Sequence, residues 1–541
     1  MKDIRWYVAV PLSVVSAILL LFAYPPYNLY FLAFFALAPI LHVTYQTNMR
    51  KTLGYGILFA FPFYCLYLFW MNAYMAVVGV GFVTVVFGGC FVLSLLIINL
   101  ASRAFPTFRV ILTPFIWIAV DFIRSFGFLG FTFGSIGYTQ HNFLPFIQIA
   151  DIGGEQLIAF MLVLFNASLA EIVPRLFERK PFHLKNASPY HTVPLYISIG
   201  LIILSLLYGA VRLRESIPEG PRMKLAMIQG LSSPRTTWKK EKWKTLRTLT
   251  SLTRESYGEE DDLDLIVWTE TAIRTSLRPN FIYGTSYHMQ IQRLVQEAET
   301  YFIIGSPDNF YAESREGLSV ENLEEIYPTG DEEELWTNSA YFLNPEGEIL
   351  GKYDKIQLTP FGEHFPLGER IAFLRKILNK FTDSAGFIRG TEYTVFEHEK
   401  MNFSVVICWE GTYGYLIRRF INNGADFILN ISNDMWTQTR AGHFQHFTIT
   451  RLRAIENRIW FARAANDGVT AIIDPYGRIV KILPIKETGY LIGEIGPRLR
   501  TTFYTRHGNM LPIASIVILI VTFISSVVLI MKRPEGTARG T

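Results

Sequence analysis

Phe403-Ser404-Val405-Val406-Ile407-Cys408-Trp409-Glu410-Gly411 is the stretch on which the fold turns. Its apolar, β-branched first half predicts a buried strand, and the run stops on a thiol flanked by an indole, a carboxylate and a glycine. Loops that leave strand ends in open α/β sheets are free to carry side chains outward, which is why catalytic groups collect there. A cysteine alone is more often an inert buried side chain. What gives this one chemical meaning is what emerges from two other segments.

Leu265-Ile266-Val267-Trp268-Thr269-Glu270 is a second apolar run that ends on a carboxylate, and Lys352-Tyr353-Asp354-Lys355 leads into Leu358-Thr359-Pro360-Phe361-Gly362-Glu363. A free thiol, with a pKa near 8.5, is mostly protonated at neutral pH and needs a base to become a nucleophile. Glu270 can be that base. An oxyanion formed when the thiolate attacks a carbonyl needs a fixed positive partner, which the Lys355 ammonium and the backbone N–H after Cys408 can supply.

The surrounding composition is that of a globular α/β domain from Met223 to about Pro497. Short apolar strands are expected at 225–228, 263–268, 301–305, 339–343, 403–407, 427–431 and 470–474, and helices at 283–299, 412–422 and 442–459. Asn344-Pro345-Glu346-Gly347 and Asp474-Pro475-Tyr476-Gly477 read as hairpin turns, so the sheet is mixed and covered by helices.

The remainder of the chain has another solvent. Over 541 residues the net charge is +4, half the residues are hydrophobic, 15% are aromatic and the mean hydropathy is +0.25. That combination points to a membrane protein, and the small charge excludes nucleic acid as a partner. Three cysteines, Cys65, Cys90 and Cys408, cannot build a disulfide framework. Runs long enough to span a bilayer, which takes roughly 20 residues, lie near 6–23, 29–45, 54–71, 75–99, 106–123, 154–174, 194–211 and 511–531. The expected organisation is a membrane domain of seven transmembrane helices over 1–212, the globular domain over 223–497, an eighth helix at 511–531 and a short tail at 532–541. Lys2, Arg5, Arg50, Lys51, Arg103, Arg109, Arg175, Arg179, Lys180, Lys185, Lys532, Arg533 and Arg539 then share one side, and only Arg124 occupies the opposite short loops. By the positive-inside rule both termini are cytoplasmic and the globular domain is outside. The nearly uncharged, Phe-, Gly- and Tyr-rich loop 126–154 either dips into the outer leaflet or forms an aromatic belt.

Trp268-Thr269-Glu270-Thr271-Ala272, Lys352-Tyr353-Asp354-Lys355 with Pro360-Phe361-Gly362-Glu363, and Cys408-Trp409-Glu410-Gly411 resemble, in order, the three motifs of the nitrilase or carbon-nitrogen hydrolase superfamily. With the flanking spans, the whole chain resembles its membrane-embedded branch, the apolipoprotein N-acyltransferases. The resemblance implies a multi-span α-helical membrane domain plus a nitrilase-like α-β-β-α sandwich on the periplasmic face of a bacterial inner membrane. It implies a ping-pong reaction in which an acyl chain passes from a phospholipid, typically phosphatidylethanolamine, to a cysteine thioester. The chain then moves to the N-terminal amine of a diacylglyceryl-cysteine apolipoprotein. Glu270 would be the general base, Lys355 the oxyanion stabiliser and Cys408 the nucleophile. Glu363, Trp409 and Glu410 would support them, and Trp238, Asn338 and Pro366 fall where the family has substrate-binding or lid residues. Trp409 departs from the tyrosine frequent there, keeping an aromatic wall without its hydroxyl. No cofactor is implied.

Other readings stand beside this one. A membrane-tethered amidase acting on a small amide would use the same three residues. A transporter or receptor is disfavoured because charges within spans are few, chiefly Asp121, Arg124 and Glu171. His443 and His446 have a ligand-like spacing, yet no carboxylate or thiol cluster in the sequence completes a metal site. There is no phosphate-cradling glycine loop. Ile371, Leu374, Ile377, Leu378 and Phe381 share one helical face, with Arg370, Arg375, Lys376 and Lys380 elsewhere; such a helix lies on anionic lipid or packs on its own domain.

Overall fold

A computed structural model describes residues 4–126, 130–176, 189–232, 238–277, 286–311, 334–360, 362–363 and 387–532. The chain divides into two compact units, Met1–Glu215 with His507–Thr541, and Ser216–Arg506.

The first unit is helical. Among the described residues, five of its helices, Trp6–Ala23, Gly79–Ala104, Ala150–Arg175, Thr192–Arg212 and Met510–Met531, are long and apolar enough to cross a membrane. The protein is therefore a membrane protein. Helices Met49–Tyr67 and Arg109–Ile123 occupy two more of the expected positions, the first carrying Arg50 and Lys51 and the second only 15 residues long. The run expected at 29–45 is broken into a 3-10 turn, Tyr30–Phe34, and an α-helix, Ala38–Gln46. Buried Asn166 explains the break. Its Oδ1 accepts from the Leu37 and Ala38 N–H groups at 2.8 and 2.9 Å, and its Nδ2 donates to the Ala33 carbonyl at 2.9 Å. A backbone that leaves the helical ladder in an apolar setting needs such partners.

Buried charges in this unit are closed on one another. Arg124 pairs with Asp121 at 2.5 Å and donates to the carbonyls of Phe131 and Phe133 at 2.8 and 2.7 Å. Glu171 sits between Arg109 and Arg175, at 2.6 Å from each. Residues 130–141 are buried, so this part of the aromatic loop folds into the helical unit.

Among its described residues, the second unit holds eleven strands in two sheets. They are β1 Met223–Gln229, β2 Leu265–Trp268, β3 Tyr301–Tyr311, β4 Glu334–Leu343, β5 Ile349–Asp354, β6 Phe403–Ile407, β7 Phe427–Ser432, β8 Trp460–Ala465, β9 Thr470–Ile473, β10 Ile479–Leu483 and β11 Gly489–Ile495. One sheet runs β11-β1-β2-β3-β4-β5 and the other β10-β9-β8-β7-β6. At the heart of each lie three parallel strands, β1-β2-β3 and β6-β7-β8, with antiparallel strands added outside. The two expected turns close β4-β5 and β9-β10, with Gly347 at φ 81° and Gly477 at φ 78°, a conformation that glycine adopts without steric cost.

Helices Trp238–Glu259 and Ser286–Ala298 cover the outer face of the larger sheet. Leu246, Leu249, Ile291, Leu294 and Val295 pack there against Ile228, Ile266, Trp268 and Phe302. Each such side chain, fully buried, contributes roughly 1.5–3 kcal/mol of transfer free energy. Helices Gly414–Asn422 and Arg440–Asn457 bury Leu416, Ile417, Phe420, Leu452 and Ile455. Between the sheets Phe342 meets Phe403 edge-on at 5.4 Å. This is the expected α-β-β-α sandwich. Pro366 and the amphipathic segment 371–381 lie outside the described residues.

Candidate active site

Chain ends from both sheets converge on one cluster. Glu270 follows β2, Lys355 follows β5, Cys408 follows β6, and Ser432 and Asn433 close β7. The approach is tight: a side chain at Gly305 on β3 would collide with the Thr269 carbonyl, so only glycine lets β3 pass behind the Glu270 turn.

Cys408 opens a 3-10 turn, Cys408–Thr412, with a left-handed backbone at φ 55°. A non-glycine residue held there costs on the order of 1–3 kcal/mol, which surrounding contacts must offset. Asn430 offsets it in part, its Nδ2 donating to the carbonyls of Val406 at 3.0 Å and Cys408 at 3.2 Å. Glu410 fixes the same turn from the other side. Its carboxylate accepts from the Ile407 N–H at 2.8 Å, the Ile356 and Gln357 N–H groups at 2.7 and 2.9 Å, and the Tyr353 hydroxyl at 2.8 Å. Thus one buried carboxylate ties the Cys408 turn to the segment that carries Lys355. Burial pushes its carboxyl up to about 7, against the pull of these donors.

Lys355, 1% exposed, contacts Glu363 at 2.9 Å and Glu270 at 3.4 Å. Burial alone would favour the neutral amine, but Glu363 and Glu270 outweigh it and hold the group as ammonium, its pKa well above the usual range. Asn338 on β4 bridges both carboxylates, donating to Glu270 at 2.8 Å and to Glu363 at 2.7 Å. Its amide therefore serves the charged cluster. Glu363 also accepts from the Thr359 N–H at 2.7 Å. Burial raises it, yet Lys355 and these donors bring it below its ordinary value.

Glu270 is set apart from Glu363. It accepts from the Asn433 N–H at 2.8 Å, and its charge opposes ionisation of the Cys408 thiol. Burial, with the Glu363 charge adding to it and Lys355 opposing it, lifts its carboxyl above the ordinary range. Burial and the Glu270 charge also raise the Cys408 thiol. The resting site is therefore a protonated thiol against a strengthened base, beside a permanent cation: an arrangement able to deliver a thiolate to a carbonyl and stabilise the resulting oxyanion.

Trp409 donates through its indole N–H to the Tyr413 hydroxyl at 3.0 Å and packs against Trp436, centroids 5.6 Å apart. Trp238 begins the helix that ends at Glu259; its side chain is outside the described part. His443 and His446 face carboxylates. His443 lies 3.3 Å from Asp467, and His446 lies 2.9 Å from Asp434, which is also held by Arg463 at 2.6 Å and the Ser432 hydroxyl at 2.7 Å. Arg463 and His446, with burial opposing them, keep Asp434 well below the carboxylate range. Sequence reasoning missed Ser432, Asn433, Asp434 and Arg463. The available signal was the abrupt polar run Ser432-Asn433-Asp434 at the end of a buried strand.

Residues 224–503, just over half of the chain, match the family model described as carbon-nitrogen hydrolase. The chain belongs to the carbon-nitrogen hydrolase family. Residues 16–168 match a second model, the apolipoprotein N-acyltransferase N-terminal domain. Relatives of this combined architecture extend over nearly the whole length. The chain is 29% identical to the apolipoprotein N-acyltransferase of Geobacter metallireducens over 92% of this chain and 91% of the relative. It is 27% identical to apolipoprotein N-acyltransferase 1 of Treponema denticola over 87% of each. The corresponding protein of Chlorobaculum tepidum is 29% identical over 93% of each. In this carbon-nitrogen hydrolase, then, the Cys408 thiol, the Glu270 carboxyl and the Lys355 ammonium belong to a chain that also carries membrane-crossing helices.

Proposed function

We propose that the protein is an N-acyltransferase that moves an acyl chain from a phospholipid, phosphatidylethanolamine in the first instance, to the N-terminal amine of a diacylglyceryl-cysteine apolipoprotein. The observation that carries this reading is the union, in one chain, of a Cys408–Glu270–Lys355 cluster with membrane-crossing helices whose N-terminal part matches the acyltransferase-specific model.

The geometry supports a two-step reaction. Glu270 takes the thiol proton, and the Cys408 thiolate attacks the ester carbonyl of the donor. The Lys355 ammonium and the backbone N–H of Trp409 would receive the oxyanion. Collapse breaks the ester C–O bond, Glu270 returns its proton to the departing glycerol oxygen, and a thioester remains. A neutral amine then attacks the thioester, Glu270 takes the amine proton, and the thiolate leaves and is reprotonated. Cys408, Glu270 and Lys355 act on the reacting atoms; Glu363 and Asn338 orient Lys355, and Glu410 holds the two turns in register. Exclusion of water by a cover of apolar residues would let the thioester await its amine, and by resemblance Trp238 and Pro366 are proposed as substrate-binding or lid residues. The distribution of basic residues supports an inner-membrane protein with eight spans, cytoplasmic termini and a periplasmic catalytic unit.

The test is incubation of purified protein with acyl-labelled phosphatidylethanolamine and no acceptor. The expected product is a protein adduct released by neutral hydroxylamine and absent from Cys408→Ala. Failure of folded protein to acquire label from any of several phospholipids, with turnover of a small amide instead, would assign the site to an amidase.

A further inference from the structure

β6, β7 and β8 lie side by side, and their register sets Val406 opposite Asn430 and Asn430 opposite Arg463. Asn430 and Arg463 are both fully buried in this row, where an amide and a guanidinium are costly unless hydrogen-bonded. Their bonds decide which way the amide points. Arg463 can only donate, so the Asn430 atom that meets its Nη1 is the oxygen, Oδ1. Asn430 Nδ2 is thereby turned toward β6, where it donates to the carbonyls of Val406 at 3.0 Å and Cys408 at 3.2 Å. Gly411 leaves space for this arrangement: a side chain there would meet Thr450 at 2.9 Å and Asn430 Oδ1 at 3.1 Å. Arg463 has a second anchor, Nη2 to Asp434 at 2.6 Å, and its rigid fork cannot swing away from Asn430 without giving up that carboxylate.

The Cys408 carbonyl is one end of a peptide unit whose other end is the Trp409 N–H. A trans peptide is planar, and its carbonyl and N–H point in opposite directions. Restraining one end therefore restrains the other. The restraint matters here because Cys408 holds a left-handed backbone, φ 55°, from which an untethered peptide would relax.

We propose that Asn430 and Arg463 are positioning residues for acyl transfer: Arg463 holds the Asn430 amide in the one orientation that tethers the Cys408 carbonyl, and the tether aims the Trp409 backbone N–H at the oxyanion. The role rests on the acyl-transfer reading, in which that N–H receives negative oxygen twice, after attack on the donor ester and after attack by the amine. Neither side chain touches the reacting atoms or exchanges a proton with them. Their effect is on direction, and a hydrogen bond weakens steeply once its angle falls below about 120°.

Two reactions of Cys408 separate this role from plain support of the turn. Acylation by a p-nitrophenyl ester passes through an oxyanion, whereas alkylation by iodoacetamide displaces iodide and forms none. In full-length protein in detergent, Asn430→Ala leaves the charge of the site unchanged. It is expected to slow ester acylation of Cys408 on the order of a hundredfold, the low end for a lost oxyanion donor, with alkylation close to that of the unchanged protein. The loss should fall on the maximal rate and not on the half-saturating ester concentration. Arg463→Lys keeps the charge beside Asp434 but lacks the fork that reaches both partners; it should show a smaller loss with the same selectivity, and it carries the test should Asn430→Ala not fold. Acylation and alkylation that fall together, or acylation that holds its rate in folded variants, would overturn the proposal. Because an activated ester replaces the lipid, a selective loss stands even if phospholipid proves not to be the donor, so the two readings fail separately. Unchanged protein that gains an acyl group at Cys408 from neither ester nor phospholipid would sink both.

Discussion

Cys408 lies between two buried charge networks of opposite character. On one side, two carboxylates, Glu270 and Glu363, share the single Lys355 ammonium and one Asn338 amide. On the other, one carboxylate, Asp434, receives Arg463, His446 and Ser432 together. The consequence is a carboxyl raised above its ordinary range at Glu270 and one driven well below it at Asp434. Burial acts in the same direction on both, so it is the ratio of donors to acceptors that separates them. A shortage of donors leaves a base able to take a proton; a surplus leaves an anion too well held to react.

The largest expected effect tests the first half of that contrast. Glu270→Gln keeps the shape and the Asn433 contact but removes the base of the proposed mechanism, and acylation of Cys408 should then fall by roughly 10²–10⁴-fold, measured as label acquired per unit time. A variant acylated at close to the normal rate would mean that another group takes the thiol proton. Asp434→Asn tests the second half. It strands the fully buried Arg463 beside a neutral amide, a loss of about 3–5 kcal/mol in comparable pairs, so the unfolding midpoint should drop while folded protein retains the acid limb set by Glu270. If Asp434→Asn instead left stability intact and abolished acylation, the division into reactive and structural networks would fail.

The same contrast explains what the sequence disclosed. Glu270 and Cys408 were legible because each closes a short, largely apolar run, and β6 falls on the expected residues, Phe403–Ile407. A mixed sheet covered by helices was legible from alternation and from the Gly347 and Gly477 turns, whereas the two-sheet sandwich came from the resemblance to the nitrilase superfamily. Asp434 and its partners were not, since they acquire a role only when β7 lies between β6 and β8, and a polar triplet after a strand reads equally well as a solvated loop. β8 escaped because the chain reaches it through Arg458 in a left-handed conformation at φ 52°, without the glycine that usually marks such a turn. β10 escaped for a different reason: four of its five residues are exposed, so it has no apolar face to betray it. The helix Trp238–Glu259 did carry a signal, Leu246, Leu249, Leu252 and Ser256 at helical spacing, masked by its many charges.

The smallest expected effect is the sharpest test of donor shortage as the cause of Glu270's basicity. Glu363→Gln removes one of the two carboxylates while keeping a side chain that can still accept from Lys355 and the Thr359 N–H. The Glu363 charge raises Glu270, and its removal also leaves Lys355 to pair with Glu270 alone, so both changes lower the Glu270 carboxyl. Glu270 acts when deprotonated; the rate therefore rises with pH through its pKa, and a lowered pKa moves that acid limb to lower pH. A weaker base and a less firmly oriented ammonium should together cost about tenfold at the plateau. Acylation rates of Cys408 across the acid range, in unchanged protein and Glu363→Gln, measure both quantities. A limb that stayed in place while the plateau fell would leave Glu363 a positioning role for Lys355 and assign Glu270's raised carboxyl to burial alone.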